Sequence, residues 1–299
     1  MSSEKPIKSP LNYTGGKHKL LPQIVPLFPK KINTFVDLFG GGFSVGVNVS
    51  ANRVIYNDIQ KEIVELFNYF KENTSDKIMS EIESIVKKYK LSDSSLNGYE
   101  FYGCNSSKGL GSYNKDNYTI LRSDYNKGDK SPIMFYTMVV FAFCNQIRFN
   151  SKGEFNMTVN KRDFNNNIKK NLIAFVDRLK EVETVFINED FKRLNIEKLK
   201  EGDLVYCDPP YLISTATYNE NGGWTNEDDE NLLKLLDRID ENNIKFALSN
   251  VLYHKGQSND MLIGWSKRYN VHYLDKSYSN CSYQLKDSGQ TVEVLITNY

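Results

Sequence analysis

Cysteine and histidine are scarce in this sequence, and their scarcity removes whole classes of function. Four cysteines, Cys104, Cys144, Cys207 and Cys281, are scattered through 299 residues with no CxxC pair. That pattern supports neither a disulfide framework nor a zinc site, and it suggests a reducing compartment. The three histidines, His18, His254 and His272, share no ligand spacing, so no metal is expected. Long apolar runs are missing too. The longest, Pro132 to Cys144, falls short of the roughly 20 residues that a bilayer-spanning helix needs. The opening MSSEKPIKSP has no apolar core of a secretory signal. A cytoplasmic protein without membrane attachment is expected.

An excess of one charge is also lacking: 38 Lys and Arg face 37 Asp and Glu. The distribution is less even than the total. Residues 101–175 hold 11 basic and 5 acidic residues, whereas 220–243 hold 2 basic and 8 acidic. A basic middle segment suits a phosphate-binding surface, and it equally suits an ordinary solvated face.

What is present is a run of short strand signals: 34–38, 53–57, 184–188, 203–207, 244–249, 270–274 and 291–297. Helical patterns follow several of them. After Thr225, a capping residue with Asp228 three positions on, Leu232, Leu235, Leu236 and Ile239 share one helical face. Strands alternating with helices predict an α/β sheet. The first two strands lie about 20 residues apart, as one βαβ unit requires. Residues 58–183 then separate the second from the third, too many for one crossover. A second domain is therefore expected at 65–175, inserted into a sheet domain formed by 1–64 and 176–299. No obligate protein partner is evident.

Three motifs lie at strand ends. Asp37-Leu38-Phe39-Gly40-Gly41-Gly42 follows the first strand. Glycines at a strand-to-helix turn let the backbone approach a nucleotide-like ligand. The spacing is not GxGxxG, which favours a smaller adenosyl ligand over a dinucleotide. Asn57-Asp58-Ile59 ends the second strand, and Asp58 lies 18 residues after Gly40. A carboxylate near that offset reaches ribose hydroxyls in such sheets. The most specific signal is Asp208-Pro209-Pro210-Tyr211, closing the strand at 203–207. The prolines fix the backbone and remove two N–H donors. The Asp208 carboxylate and the Pro209 carbonyl can then accept from the two hydrogens of an exocyclic amine. Tyr211 offers a face for a base to stack on.

Two further stretches are weaker. Pro10 to Lys17, PLNYTGGK, combines an aromatic, two glycines and a lysine that could fold over a ligand. Phe143 to Asn156, followed by Lys161-Arg162, places polar-aromatic runs on either side of Ser151-Lys152-Gly153, as in a β-hairpin. A two-stranded ribbon fits the major groove, where arginine reads guanine with two bonds.

In this order, PLNYTGGK, DLFGGG, NDIQ, an inserted domain and DPPY resemble the Dam-like, D12-class family of DNA adenine-N6 methyltransferases. The likeness runs from about residue 10 to the closing VLITNY. The enzymes of T-even-like bacteriophages look nearest, through LRSDYNK, NQIRFNSKGEFN, DPPYLI, IKFALSNVLYH and WSKRYNV. The resemblance implies a Rossmann-like sheet that binds S-adenosylmethionine. It also implies an inserted, mainly helical target-recognition domain carrying a β-hairpin. Tyr13, Lys17, Phe39, Gly40, Asp58, Ile59, Asp208, Tyr218 and Trp224 would contact the cofactor. Asp208, Pro209 and Tyr211 would form the catalytic pocket. Phe143, Asn145, Arg148, Asn150 and Arg162 would contact double-stranded DNA, with GATC as the family's usual target. In place of the family's common Pro-x-Gly before the second arginine stands Thr158-Val159-Asn160. Other readings stay open on the residues alone: a different DNA target, an RNA adenine methyltransferase, a nicotinamide-dependent oxidoreductase, or a DNA-binding protein with an inactive catalytic fold.

Overall fold

A computed structural model describes residues 5–13, 15–128, 130–213, 223–274 and 291–299. Its strands are β1 (Thr34–Asp37), β2 (Arg53–Asn57), β3 (Glu183–Ile187), β4 (Leu204–Cys207), β5 (Lys245–His254), β6 (Gln257–Ser258), β7 (Asn270–Tyr273) and β8 (Val292–Thr297). The helices are α1 (Leu21–Ile24), α2 (Lys61–Glu72), α3 (Ser75–Lys88), α4 (Ser94–Asn97), α5 (Gly111–Lys127), α6 (Pro132–Phe141), α7 (Asn166–Glu181), α8 (Asn226–Glu241) and α9 (Asp260–Ser266). Short 3-10 turns join several of them. The chain divides into two compact units.

The unit formed by Lys19–Ile59 and Glu183–Tyr299 contains the sheet. Strand order is β3-β2-β1-β4-β5-β8-β7, with β6 paired to β5. Strands β3, β2, β1, β4 and β5 run parallel. Strand β8 is antiparallel to both β5 and β7. The sheet is therefore mixed and mostly parallel. Parallel strands are covered on both faces, so they read as continuous apolar runs; all four residues of β4, Leu-Val-Tyr-Cys, are buried. Chain order moves from β1 outward to β2 and β3, then crosses back to β4 and β5 on the other side. The carboxyl ends of β1 and β4 thus meet at a topological switch point, where open α/β sheets bind their ligands.

Helix α8 packs on this sheet as its pattern predicts. Thr225 and Asp228 form the capping box, and Leu232, Leu235, Leu236 and Ile239 join Val205, Phe246 and Val294 in the core. Each leucine so buried contributes about 1.5–3 kcal/mol. Strand β5 runs five residues beyond the predicted stretch, because Asn250 sits buried inside it and a register shift between Val251 and Tyr253 keeps the pairing with β8 going.

The other unit joins the described residues up to His18 to Gln60–Val182. It runs over 60–182, where the insertion was expected at 65–175, and it also takes in the first segment of the chain, which was expected in the sheet domain. Helix α6 is buried on every side and packs against α2, α3 and α5. The apolar run noted in the sequence is thus the axis of a helical core. Ser131 caps it by accepting from the Met134 amide, and Pro132 holds the first helical position, where its missing N–H costs nothing. Thr74 and Asn165 cap α3 and α7 in the same way. Among the described residues, no helix is long and apolar enough to cross a membrane.

Candidate functional site

The switch point is built from the glycine turn after β1. The Gly40 amide donates to the Asn57 carbonyl (2.8 Å), and the Gly40 carbonyl accepts from Phe43 (2.7 Å). Tyr56, fully buried on β2, donates its hydroxyl to the Gly41 carbonyl (2.8 Å). Asp58 accepts from the Gly41 amide through Oδ2 (2.8 Å). The turn is thereby tied to β2 at three successive residues, Tyr56, Asn57 and Asp58. Phe43 takes a left-handed φ of 59° inside it, a costly conformation that a packed surrounding must enforce. Ile59 follows the buried Asp58 and is 72% exposed. A buried carboxylate next to an open apolar side chain suits a ribose and the flat ring attached to it.

Two more acidic groups complete the site. Asp37, fully buried at the end of β1, accepts from the Gly46 amide (3.1 Å). Burial pushes its carboxyl up to about 8, against the pull of the Gly46 bond, and the charges of Asp208 and Asp58 push the same way. Burial therefore favours the neutral form of Asp37. Asp208 follows β4, half-buried, with Oδ1 accepting from the Tyr211 hydroxyl (3.0 Å). The same hydroxyl lies 3.0 Å from Glu293 Oε1 on β8. Pro209 is buried between them in sequence. The DPPY turn is thus rigid by composition and held by its own tyrosine.

An aromatic group packs beside the turn. Phe39 lies 5.2 Å from Phe191 and 5.5 Å from Trp224, ring centre to ring centre. The Trp224 indole donates to Asp229 (2.5 Å), itself buried on α8 and bonded to Asn259. Phe191 and Glu293 were not singled out from the sequence. Glu293 lies 82 residues from Tyr211, and only strand pairing brings it near.

The structure therefore gathers Phe39, Gly40, Asp58, Ile59, Asp208, Pro209, Tyr211 and Trp224 in the sheet unit. Tyr13 and Lys17 belong to the other unit, where buried Lys17 donates to the Gly15 carbonyl (2.9 Å). Tyr218 lies outside the described residues. Among the described residues, no group of His, Cys, Asp and Glu could hold a metal ion.

In the helical unit, residues 142–159 form an antiparallel ribbon. Its pairing is two isolated bridges, Ala142 with Val159 and Phe149 with Phe155, so the predicted hairpin exists without continuous strands. Helix α5 pins the return arm. Tyr118 and Arg122 donate to the Met157 carbonyl, and Asn126 bonds both backbone groups of Phe155. These three residues recur every fourth position on one helical face. Phe149 and Phe155 pack on Phe135 of α6.

The expected DNA-contacting residues divide into two kinds. Asn145 donates to the Val139 and Val140 carbonyls, closing the end of α6. Asn150 accepts from the Lys152 and Glu154 amides, forming the tip. Their side chains shape the ribbon. Phe143 is 50% exposed, and Arg148, Lys152, Lys161 and Arg162 are all exposed. Arg148 is steadied by a bond from Nε to Asn156 (2.8 Å).

A family model described as D12 class N6 adenine-specific DNA methyltransferase matches residues 13–280. The chain is 44% identical over 299 residues to Type II methyltransferase M.FokI of Planomicrobium okeanokoites, covering 98% of this chain and 43% of that protein. It is 40% identical over 306 residues to Modification methylase StsI of Streptococcus sanguinis, covering 100% of this chain and 44% of that one. It is 24% identical over 247 residues to DNA adenine methylase of Escherichia coli (strain K12), covering 80% and 79%. The chain spans less than half the length of the first two. Those similar relatives are bacterial modification enzymes and not the T-even-like phage enzymes that the sequence suggested; the correction is one of branch within the family.

Proposed function

The chain belongs to the family of D12 class N6 adenine-specific DNA methyltransferases, and from that premise we propose that it methylates N6 of an adenine within a specific sequence of double-stranded DNA. The observation that carries this reading is the DPPY turn at the end of β4, beside the glycine turn and Asp58. When bound, S-adenosylmethionine supplies the electrophilic methyl group. The residues fit it. Asp58 is buried and fixed at the tip of β2 to receive ribose hydroxyls, Ile59 is open to cover an adenine face, and Phe39 and Trp224 form an aromatic wall. Tyr13, Lys17 and Tyr218 are assigned to the same cofactor by resemblance.

Adenine N6 is a poor nucleophile because its lone pair is delocalised into the ring. It is also out of reach inside a duplex, so the base must be extruded. Asp208 and the Pro209 carbonyl accept the two N6 hydrogens, which favours a tetrahedral nitrogen with a directed lone pair. Tyr211 presents its ring to the base while its hydroxyl holds Asp208. Orientation and fixed charge then supply most of the acceleration. The unit around 60–182 is assigned to DNA, with Phe143 as the residue that enters the base stack.

Labelled S-adenosylmethionine incubated with duplex DNA tests the chemistry. Label on adenine N6 is expected; transfer to RNA or cytosine, or none, overturns the reading. A map of methylated adenines then reports the target. The resemblance implies GATC, and methylation confined to another sequence replaces that target while leaving the chemistry in place.

Two substitutions separate the roles. Asp58→Ala is expected to weaken cofactor binding about ten- to a hundred-fold, since a hydrogen bond to a charged group contributes about 1.5–3 kcal/mol. DNA affinity should hold. Calorimetry checks it, and an unchanged cofactor dissociation constant removes Asp58 from the ribose. On the ribbon, Arg148→Ala and Arg162→Ala should each relax the target at one position, losing about 1–3 kcal/mol of discrimination. Lys152→Ala should weaken all sequences alike and flatten the salt dependence. If both arginine variants lose activity evenly with the motif unchanged, the arginines touch the phosphate backbone.

A further inference from the structure

One tyrosine hydroxyl faces two carboxyl groups at equal distance. Tyr211 Oη is 3.0 Å from Asp208 Oδ1 and 3.0 Å from Glu293 Oε1. A hydroxyl carries one proton and can donate to only one of them at a time. Both contacts become hydrogen bonds when the triad holds one extra proton, at either end. With that proton on Glu293, Glu293 donates to Tyr211 and Tyr211 donates to Asp208. With it on Asp208, both bonds reverse.

We propose that Glu293 is the receiving end of a proton path from Asp208 through Tyr211, which carries away the proton that the substrate's amino group loses. The proposal rests on the methyl-transfer reading above. As N6 forms its bond to the methyl carbon, that carbon's bond to the donor sulfur breaks and leaves its electron pair on sulfur, while one N–H bond breaks and an O–H bond forms on Asp208. The Asp208 proton then passes to Tyr211 Oη as the Tyr211 proton passes to Glu293. One proton has moved from N6 to Glu293, no electrons have been exchanged, and Asp208 is again a carboxylate. Tyr211 stays neutral throughout, because burial first, and then the charges of Asp208 and Glu293, hold its hydroxyl well above its ordinary value.

The surroundings favour an outlet. Asp37 on β1, Asp58 after β2, and Tyr206 and Cys207 on β4 are acids; the strands that pair with β8 also bring Tyr253 and His254 on β5 and His272 and Tyr273 on β7. Asp37 and Asp208 raise Cys207, and Asp208, Asp37 and Glu293 raise Tyr206. Glu293, half-buried on β8 as Asp208 is after β4, is the far end of the path. His254, at the end of β5, is bonded to Thr291 (2.7 Å).

Glu293→Gln keeps the shape and removes the proton acceptor. Single-turnover methyl transfer to duplex DNA is compared with wild type between about pH 6 and 9, with cofactor and DNA affinities measured alongside. The expected result is a rate about ten-fold lower at the acid end, below the hundred-fold typical of a direct acid or base. The gap should narrow toward the alkaline end, with both affinities unchanged. Carbon-13 NMR of the labelled carboxyl groups, in the protein without cofactor, supplies a readout apart from activity. In wild type Asp208 and Glu293 should each titrate in two steps, as coupled sites do, and Tyr211→Phe should reduce each to one. A wild-type rate and pH profile in Glu293→Gln, or single independent steps in the wild-type titration, overturns the path and leaves methyl transfer standing. A wild-type protein that transfers nothing to adenine overturns both. Should Glu293→Gln fail to fold, the wild-type and Tyr211→Phe titrations decide alone.

Discussion

Asp208→Ala is expected to abolish methyl transfer to DNA while the protein stays folded. The residue sits just beyond β4, whose four residues are buried and paired on both sides by β1 and β5. Nothing in that pairing depends on the Asp208 side chain. Tyr211 loses one acceptor but keeps Glu293 at 3.0 Å, so the turn stays tied to β8. Removing the carboxylate also relieves Asp37, which Asp208 pushes toward protonation; stability should hold or rise slightly. Catalysis has no such substitute. Without Asp208 the amino group of adenine keeps its lone pair in the ring, and the departing proton has no acceptor. Loss of one preorganised charge-stabilising group costs on the order of a hundred- to a thousand-fold, and the added loss of the proton acceptor places this variant at the far end. Transfer of labelled methyl groups and a thermal melt on one preparation check both parts. Turnover near wild type would remove DPPY from the chemistry. Asp208→Asn distinguishes the two roles: the amide oxygen still accepts a hydrogen bond from N6 but takes no proton, so it should retain more activity than alanine and still fall well short of aspartate.

What the sequence made legible was whatever local chemistry decides. The parallel strands showed themselves because burial on both faces demands apolar runs, and α8 did because Thr225 and Asp228 cap it and its leucines repeat with the helical period. The turn after β1 and the DPPY turn were legible because glycine and proline have few other uses at a strand's end. The unread parts are those that long-range pairing creates. Glu293 looks like one polar position in an alternating strand until β8 settles antiparallel beside β5 and brings it to Tyr211. Tyr118, Arg122 and Asn126 look like the polar side of α5, yet they hold the ribbon's return arm by its backbone. Phe191 lies in a short 3-10 turn with no periodic pattern to mark it. The grouping of the first residues with 60–182 follows from packing, and no composition shift announces it. Asn145 and Asn150 were read for their position among arginines. An asparagine side chain equally serves a helix end or a turn, and both of these do.

The second large effect is expected from a single methyl group, in Gly40→Ala. A Cβ built at Gly40 falls 2.1 Å from Cε2 of Tyr56 and 2.3 Å from its Cδ2, far inside any carbon–carbon contact. The ring cannot yield. It is fully buried, packs edge-on against Phe43 at 5.1 Å, lies 5.4 Å from Phe186, and its hydroxyl is anchored to the Gly41 carbonyl. The backbone must move, and it is held by Gly40 to Asn57, Phe43 to Gly40 and Gly41 to Asp58. Overpacking of a well-packed core costs about 1–3 kcal/mol, and a clash this deep against an aromatic ring belongs at the top of that range. The melting temperature should fall by several degrees, since each kcal/mol shifts a domain of this size by about 2–4 °C. Cofactor affinity should fall more than ten-fold, because the turn that moves holds Asp58 through the Gly41 amide. Gly153→Ala is the control. Unlike Gly40 it sits at positive φ, 72°, but nothing lies within 4 Å of its added Cβ, so only the conformational cost of about 1 kcal/mol remains. A double variant, Gly40→Ala with Tyr56→Ala, tests the mechanism directly. Each single change destabilises, the first by collision and the second by opening a cavity. Together they should cost less than their sum by more than about 1 kcal/mol, as contacting residues that share a space do. Strict additivity, or a Gly40→Ala protein that melts and binds as wild type does, would show that the turn has room the packing denies it.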